Sequence, residues 1–255
     1  MRPTLPLLAT FGAALFVTLF AAGTGTARNS APVELALVLL TDVSNSMDSG
    51  EYEMVKAGYR AAFSDPEVMA AVAASPGGVA VAYVEFSDAN RIALVRGWDL
   101  LTDEVSTSAF GEAVAAAPRS SAGNTALAAS LRQAAQLLTD GEFGNARRLV
   151  IDVASDHPSD GGRSGYARDA AVAAGITINA LPIIDERPIG TFDGRMTYTV
   201  AHWGLGGMTE FYRRYVIGGA GSFLVEARHY SAFGEALKRK LLMELLISQV
   251  DGIQQ

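Results

Sequence analysis

Val33-Glu34-Leu35-Ala36-Leu37-Val38-Leu39-Leu40-Thr41-Asp42-Val43-Ser44-Asn45-Ser46 is the stretch on which the reading of this chain turns. Residues 33–41 form a nearly continuous apolar run of strand length, the pattern of a strand buried on both faces. It runs straight into a polar pentapeptide in which the alternate residues Asp42, Ser44 and Ser46 each carry a side-chain oxygen. Helical spacing follows, with Tyr52, Val55, Tyr59 and Phe63 on one face and Asp65-Pro66 as a stop. The first landmark is therefore an oxygen-rich loop between a central strand and a helix.

Working outward, residues 79–86 read as a second strand and 91–98 as a third, joined by a connection short enough for an antiparallel hairpin. A helix over 102–117, a Pro-Arg-Ser-Ser-Ala-Gly-Asn break at 118–124 and a helix over 125–138 come next. Strand 148–154, helix 165–174 and strand 176–182 continue the alternation, with Gly175 as the helix stop. Residues 183–208 show no periodicity and read as one long loop. A helix at 208–215, a short strand at 222–226 and an amphipathic helix over 231–247 complete the pattern. Repeated strand-then-helix units imply an α/β fold: a doubly wound, mostly parallel, Rossmann-like sheet with one antiparallel edge strand. In such sheets ligands lie beyond the carboxyl ends of the strands, where the strand order reverses. The loops after Thr41, Ala154 and Pro182 all belong to that end.

Composition bounds the function. A chain of 255 residues, 49% hydrophobic and 18% charged, has material for one α/β domain, expected over 33–248. A formal charge of -7 with no long Lys/Arg run argues against a nucleic-acid partner. The absence of cysteine excludes disulfides, thiolate zinc sites, thiol catalysis and a lipid-modified cysteine. Arg2, the apolar run 5–22 and the small residues Gly23-Thr24-Gly25-Thr26-Ala27 read as a signal peptide over 1–27. A periplasmic or secreted location and no stable membrane span after cleavage follow as expectations, with a retained anchor as the alternative. No Walker loop and no Gly-x-Ser-x-Gly elbow is present. Gly218-Gly219-Ala220-Gly221 reads as a turn, and Lys238-Arg239-Lys240 as a solvated basic face near a helix end.

With no cysteine and three scattered histidines, the guest suited to Asp42, Ser44 and Ser46 is a hard divalent cation, Mg²⁺ foremost, with Mn²⁺ or Ca²⁺ possible. The competing reading is local: Ser46 or Asp48 caps the following helix, and Thr125 caps another. Asp42-x-Ser44-x-Ser46 resembles the metal-ion-dependent adhesion site (MIDAS) of the von Willebrand factor A family, written Asp-x-Ser-x-Ser on the first strand-to-helix loop. The resemblance spans residue 33 to about 247. It implies that a Thr from a second loop and an Asp from a third complete the site, and their counterparts here are Thr125 and Asp156. His157-Pro158 follows Asp156 where the family usually has Gly, which leaves Asp152 and Asp160 as alternative acids. Phrases such as Tyr83-Val84-Glu85-Phe86-Ser87 and Val216-Ile217-Gly218-Gly219 look closer still to an uncharacterised group of exported bacterial proteins of this type, a domain-of-unknown-function family.

The resemblance implies an exported binding module that engages a carboxylate of a protein partner through the cation. A metal-assisted hydrolase using the same oxygens and a metal-free scaffold are the alternatives, and no nucleophile, base and acid set stands out for catalysis. Phe192, Tyr198 and Trp203, on the loop 183–208, are the candidate partner contacts, because aromatic residues are enriched at interfaces; the alternative is that they cover the underlying core.

Overall fold

The computed structural model describes residues 32–158, 163–184, 188–192, 195–198 and 207–251. The expected leader, Asp160 and Trp203 lie outside them. Strand β1 (Leu35–Asp42) is buried along its whole length. Leu35, Leu37 and Leu39 enter one core while Ala36, Val38 and Leu40 enter another, so the unbroken apolar run is the consequence of two covered faces.

β1 pairs in parallel with β2 (Val79–Phe86) on one side and β4 (Arg148–Ser155) on the other. β3 (Ile92–Leu101) lies antiparallel to β2, and β5 (Ile176–Pro182) parallel to β4, giving the order β3-β2-β1-β4-β5. The chain departs from β1 in opposite directions, so the crevice at its carboxyl end is the switch point of the sheet. Helices α1 (Ser49–Phe63), α2 (Pro66–Ala73), α3 (Glu104–Ala116) and α7 (Phe233–Asp251) cover one face. Helices α4 (Leu127–Thr139), α5 (Ser164–Ala173) and α6 (Gly207–Tyr215) cover the other. The expected α/β class and sheet type are those observed.

Four local readings are corrected. Asp65-Pro66 does more than stop α1: Asp65 accepts from the Glu67 amide at 2.9 Å and Pro66 opens α2, the cap-then-proline start of a new helix. The loop expected over 183–208 contains an antiparallel pair, β6 (Pro188–Phe192) and β7 (Arg195–Tyr198). The strand expected at 222–226 is absent among the described residues; Leu224 and Ala227 make single parallel bridges to Ala180 of β5 and to Ile183 just beyond it. Lys240 is not on a solvated face but fully buried. It forms ion pairs with Asp152 and Glu244. No described helix is long and apolar enough to cross a membrane.

Candidate metal centre

Asp42 closes β1 and is fully buried. Its Oδ1 accepts from the Ser44 amide at 2.8 Å, which turns the chain immediately after the strand. Its Oδ2 accepts from the Ser155 hydroxyl at 2.6 Å, a bond from the end of β4. The loop 43–47 is held from behind by Arg119, whose Nη2 donates to the carbonyls of Val43 at 2.8 Å, Ser44 at 2.7 Å and Met47 at 3.0 Å. One planar guanidinium thus satisfies three loop carbonyls and directs the loop's hydroxyls to the opposite side.

Those hydroxyls form a continuous chain. Thr125 Oγ1 donates to Ser44 Oγ at 3.0 Å, Ser44 and Ser46 share a bond of 2.9 Å, and Ser46 donates to Asp156 Oδ1 at 2.8 Å. Asp156 Oδ2 accepts from Tyr230 at 2.7 Å. Residues separated by more than a hundred positions in sequence therefore share one polar cluster. Asp42, Ser44, Thr125 and Asp156 are buried and Ser46 is exposed, so the cluster opens on the Ser46 side.

The capping alternatives do not describe these side chains. Asp48 caps α1, in a reciprocal box with Glu51 at 2.8 Å each way, and Ser46 is left to face Asp156. The N-cap of α4 is Ala126, which makes no side-chain cap bond. Of the alternative acids, Asp152 lies inside β4, away from the cluster and against Lys240.

Charge sets the chemistry. Burial first, and the Asp156 charge second, push the Asp42 carboxyl up from 3.8 to about 7, against the lowering pull of its Ser155 and Ser44 hydrogen bonds. Among the described residues neither carboxylate forms an ion pair with a basic side chain. Two acids, three hydroxyls and no soft donor make an oxygen set that fits a hard cation, and the uncompensated negative charge fits it as well. At this cluster two carboxylates at most would hold such an ion, and among the described residues no group of three His, Asp or Glu side chains offers a different kind of site.

Several supporting residues had no signature in the sequence. Asp88 accepts from the Asn124 amide at 3.0 Å and from its side chain at 3.1 Å. Gly123 adopts φ 156°, and a Cβ there would lie 2.3 Å from Asp88 Oδ2. Buried Glu85 accepts from Tyr52 at 2.8 Å, Tyr83 at 3.1 Å and the Ser120 amide at 2.7 Å, anchoring the segment that leads to Thr125. Ser155 alone had a hint, since it precedes Asp156 directly. Phe192 and Tyr198 fall on β6 and β7.

A doubly wound five-stranded sheet with one antiparallel edge is a fold similar to that of solved von Willebrand factor A domains. The chain belongs to the family described as "Protein of unknown function (DUF1194)", which matches residues 32–249. Solved structures similar to it include proximal thread matrix protein 1 from the mussel byssus with a zinc-occupied MIDAS motif, at 14% identity and TM-score 0.54, covering 83% of this chain and 46% of that one. The pilus adhesin SpaC from Lactobacillus rhamnosus GG is similar at 13% identity and TM-score 0.58, covering 86% of this chain and 30% of the adhesin. The SpRpn10 VWA domain is similar at 15% identity and TM-score 0.51, covering 79% and 94%. The chain thus spans less than half the length of the first two, and at these identities the likeness establishes the fold. No curated protein is similar enough to count as a match.

Proposed function

We propose that this chain is an exported binding module that takes up a divalent cation, Mg²⁺ foremost, on Asp42, Ser44, Ser46, Thr125 and Asp156 and uses it to engage a carboxylate of a protein partner. The observation that carries the reading is the juxtaposition of two buried acids with a hydroxyl chain between them and, among the described residues, no basic side chain paired to either. When bound, the cation supplies a Lewis-acidic position open to an anionic oxygen. The chain's own residues do the rest. Ser155 and the Ser44 amide orient Asp42, Tyr230 orients Asp156, and Arg119 fixes the loop between them. Exposed Ser46 lies on the side from which a partner approaches. The mussel protein, with zinc in a motif of this name on the same fold, and the adhesin SpaC support the reading by analogy. The apolar run 5–22 supports export.

Calorimetric titration of Mg²⁺, Mn²⁺ and Ca²⁺ into the protein and into its Ser44→Ala form tests the cation. Saturable binding by the parent, weakened by at least about tenfold in the variant, is expected. Equal heats from both proteins, or none from either, would remove the basis of the proposal. Capture of envelope proteins with the metal-loaded chain, lost on addition of chelator, tests the partner.

A further inference from the structure

Lys240 on α7 is fully buried, and the groups around it belong to three elements. Its ammonium meets the Asp152 carboxyl of β4 in an ion pair and contacts Glu244, one turn further along α7, at 2.8 Å. Asn179 of β5, the cross-strand partner of Asp152, donates to the same Glu244 oxygen at 2.7 Å. The Phe223 ring lies over the ammonium with its centroid at 5.2 Å, and the Phe223 amide donates to Asn179 at 2.8 Å. The exposures of Asp152, Asn179, Lys240 and Glu244 are 4%, 1%, 0% and 0%, so solvent does not screen the group. Neither Asp152 oxygen accepts a hydrogen bond from a neutral donor among the described residues. Its carboxyl is left facing an amine and a second acid.

This arrangement costs more than a structural role explains. Buried ion pairs are expensive to desolvate, and apolar residues of similar volume often serve as well. The groups present are, by type and placement, the reactants of a condensation: an amine against a carboxyl, with a second carboxyl touching the amine. Burial first and Glu244 second raise the Asp152 carboxyl well above the usual carboxylate range. Burial pushes Glu244 up as well, but Lys240, Asp152 and Asn179 together hold it below its ordinary value. Burial lowers Lys240, but Asp152 and Glu244 outweigh it and keep the amine charged at rest; of the two acids it is Asp152 that burial and Glu244 bias toward the neutral form a nucleophile attacks.

We propose that Lys240 and Asp152 condense to an intramolecular amide bond, with Glu244 as the proton carrier. The Lys240 ammonium passes a proton to Glu244, and the freed Nζ lone pair attacks Asp152 Cγ. Glu244 protonates the carboxyl oxygen as the N–C bond forms, then takes back a proton from the nitrogen. Glu244 then gives that proton to one Cγ hydroxyl, which leaves as water as the Cγ–O bond breaks, and takes up the proton of the remaining hydroxyl as the carbonyl re-forms. The start (ammonium, carboxylic acid, carboxylate) and the end (amide, water, Glu244 as its acid) are both neutral overall, and no oxidant, reductant or activating group is needed. In water, ionisation of acid and amine opposes amide formation; in a dry core that ionised state is the disfavoured one. Fixed placement of the reacting groups replaces the encounter step. The product joins the last helix covalently to the strand beside β1.

Intact mass spectrometry of the denatured wild-type protein, with its N-terminus established, tests this directly. A mass one water below that of the sequence is expected, together with a tryptic species linking the segment of Asp152 to that of Lys240 and no cleavage after Lys240. Glu244→Gln, checked for folding by circular dichroism, is expected to show the full mass, as is Lys240→Arg. A wild-type chain of full mass overturns the proposal whatever the variants do. A loss of ammonia with the link at Asn179 overturns the assignment to Asp152, and a loss of water mapped elsewhere in the chain overturns both.

Discussion

At the scale of the residue, Asp42 governs the behaviour of the site. Between 3.8 and about 7 the folded, metal-free chain holds a proton on Asp42 that the unfolded chain releases. This group therefore takes stability away as pH rises through that window, and the loss is complete above it. A cation reverses the balance, because its ligands bind as carboxylates and protons compete with it. The rise in melting temperature on adding Mg²⁺ is thus expected to be larger at about pH 8 than at about pH 5.5, and Asp42→Ala should abolish it at both. Differential scanning fluorimetry with and without chelator measures this; a shift independent of pH would contradict the role given to Asp42. The pentapeptide showed which oxygens were available but not which of them cap a helix. Asp48 and Glu51 satisfy the helix start between them, and that Ser46 is turned to Asp156 instead is a tertiary fact.

At the scale of the element, the loops are set by side chains beneath them. Gly123→Ala places a Cβ in a left-handed backbone region and against the Asp88 carboxylate that holds Asn124. The expected outcome is a fall of about tenfold or more in Mg²⁺ affinity with a much smaller change in stability, because the disturbance falls on the loop of Thr125 and, through the Asn45 amide that donates to the Gly123 carbonyl at 2.8 Å, on the loop of Ser44 and Ser46. Calorimetry and thermal melts on the same sample separate the two effects. Glu85→Ala leaves two tyrosines and the Ser120 amide without their acceptor. It should cost about 3 kcal/mol of unfolding free energy, read from urea midpoints. Strands β1, β2, β4 and β5 were legible because an apolar run of that length between polar loops has few other readings. The β6–β7 pair was not, since residues 183–208 lack the alternation that marks a half-buried strand. Helix α2 was legible in principle from Asp65-Pro66-Glu67, a cap, a first-turn proline and an acid, but the same residues also end α1.

At the scale of the whole molecule, two cores flank one sheet, and the face that carries α7 depends on close helix approach. Gly58 of α1 crosses Gly234 of α7, and a Cβ on Gly58 would lie 2.5 Å from the Phe233 ring and 3.0 Å from the Gly234 amide nitrogen. Helix propensity favours alanine over glycine by about 1 kcal/mol. The clash with backbone should outweigh it, so Gly58→Ala is expected to destabilise by about 1–3 kcal/mol in urea titration. A stabilised variant would mean that the two helices are free to separate. Lys240 shows what a pattern in sequence leaves out: in Lys238-Arg239-Lys240 three basic residues look equivalent, yet Lys238 pairs at the surface with Asp65 and Glu67 while Lys240 is directed into the core. Which of them enters is decided by the phase of α7 against β4 and β5, a property of packing.

The central claim is that the loops after β1 and β4, with the one before α4, build a single cation site at the switch point of the sheet. Crystals soaked in Mn²⁺ and measured for anomalous scattering test it most directly. A strong peak among Asp42, Ser44, Ser46, Thr125 and Asp156 is the predicted result, and featureless density there at saturating Mn²⁺ would contradict the account.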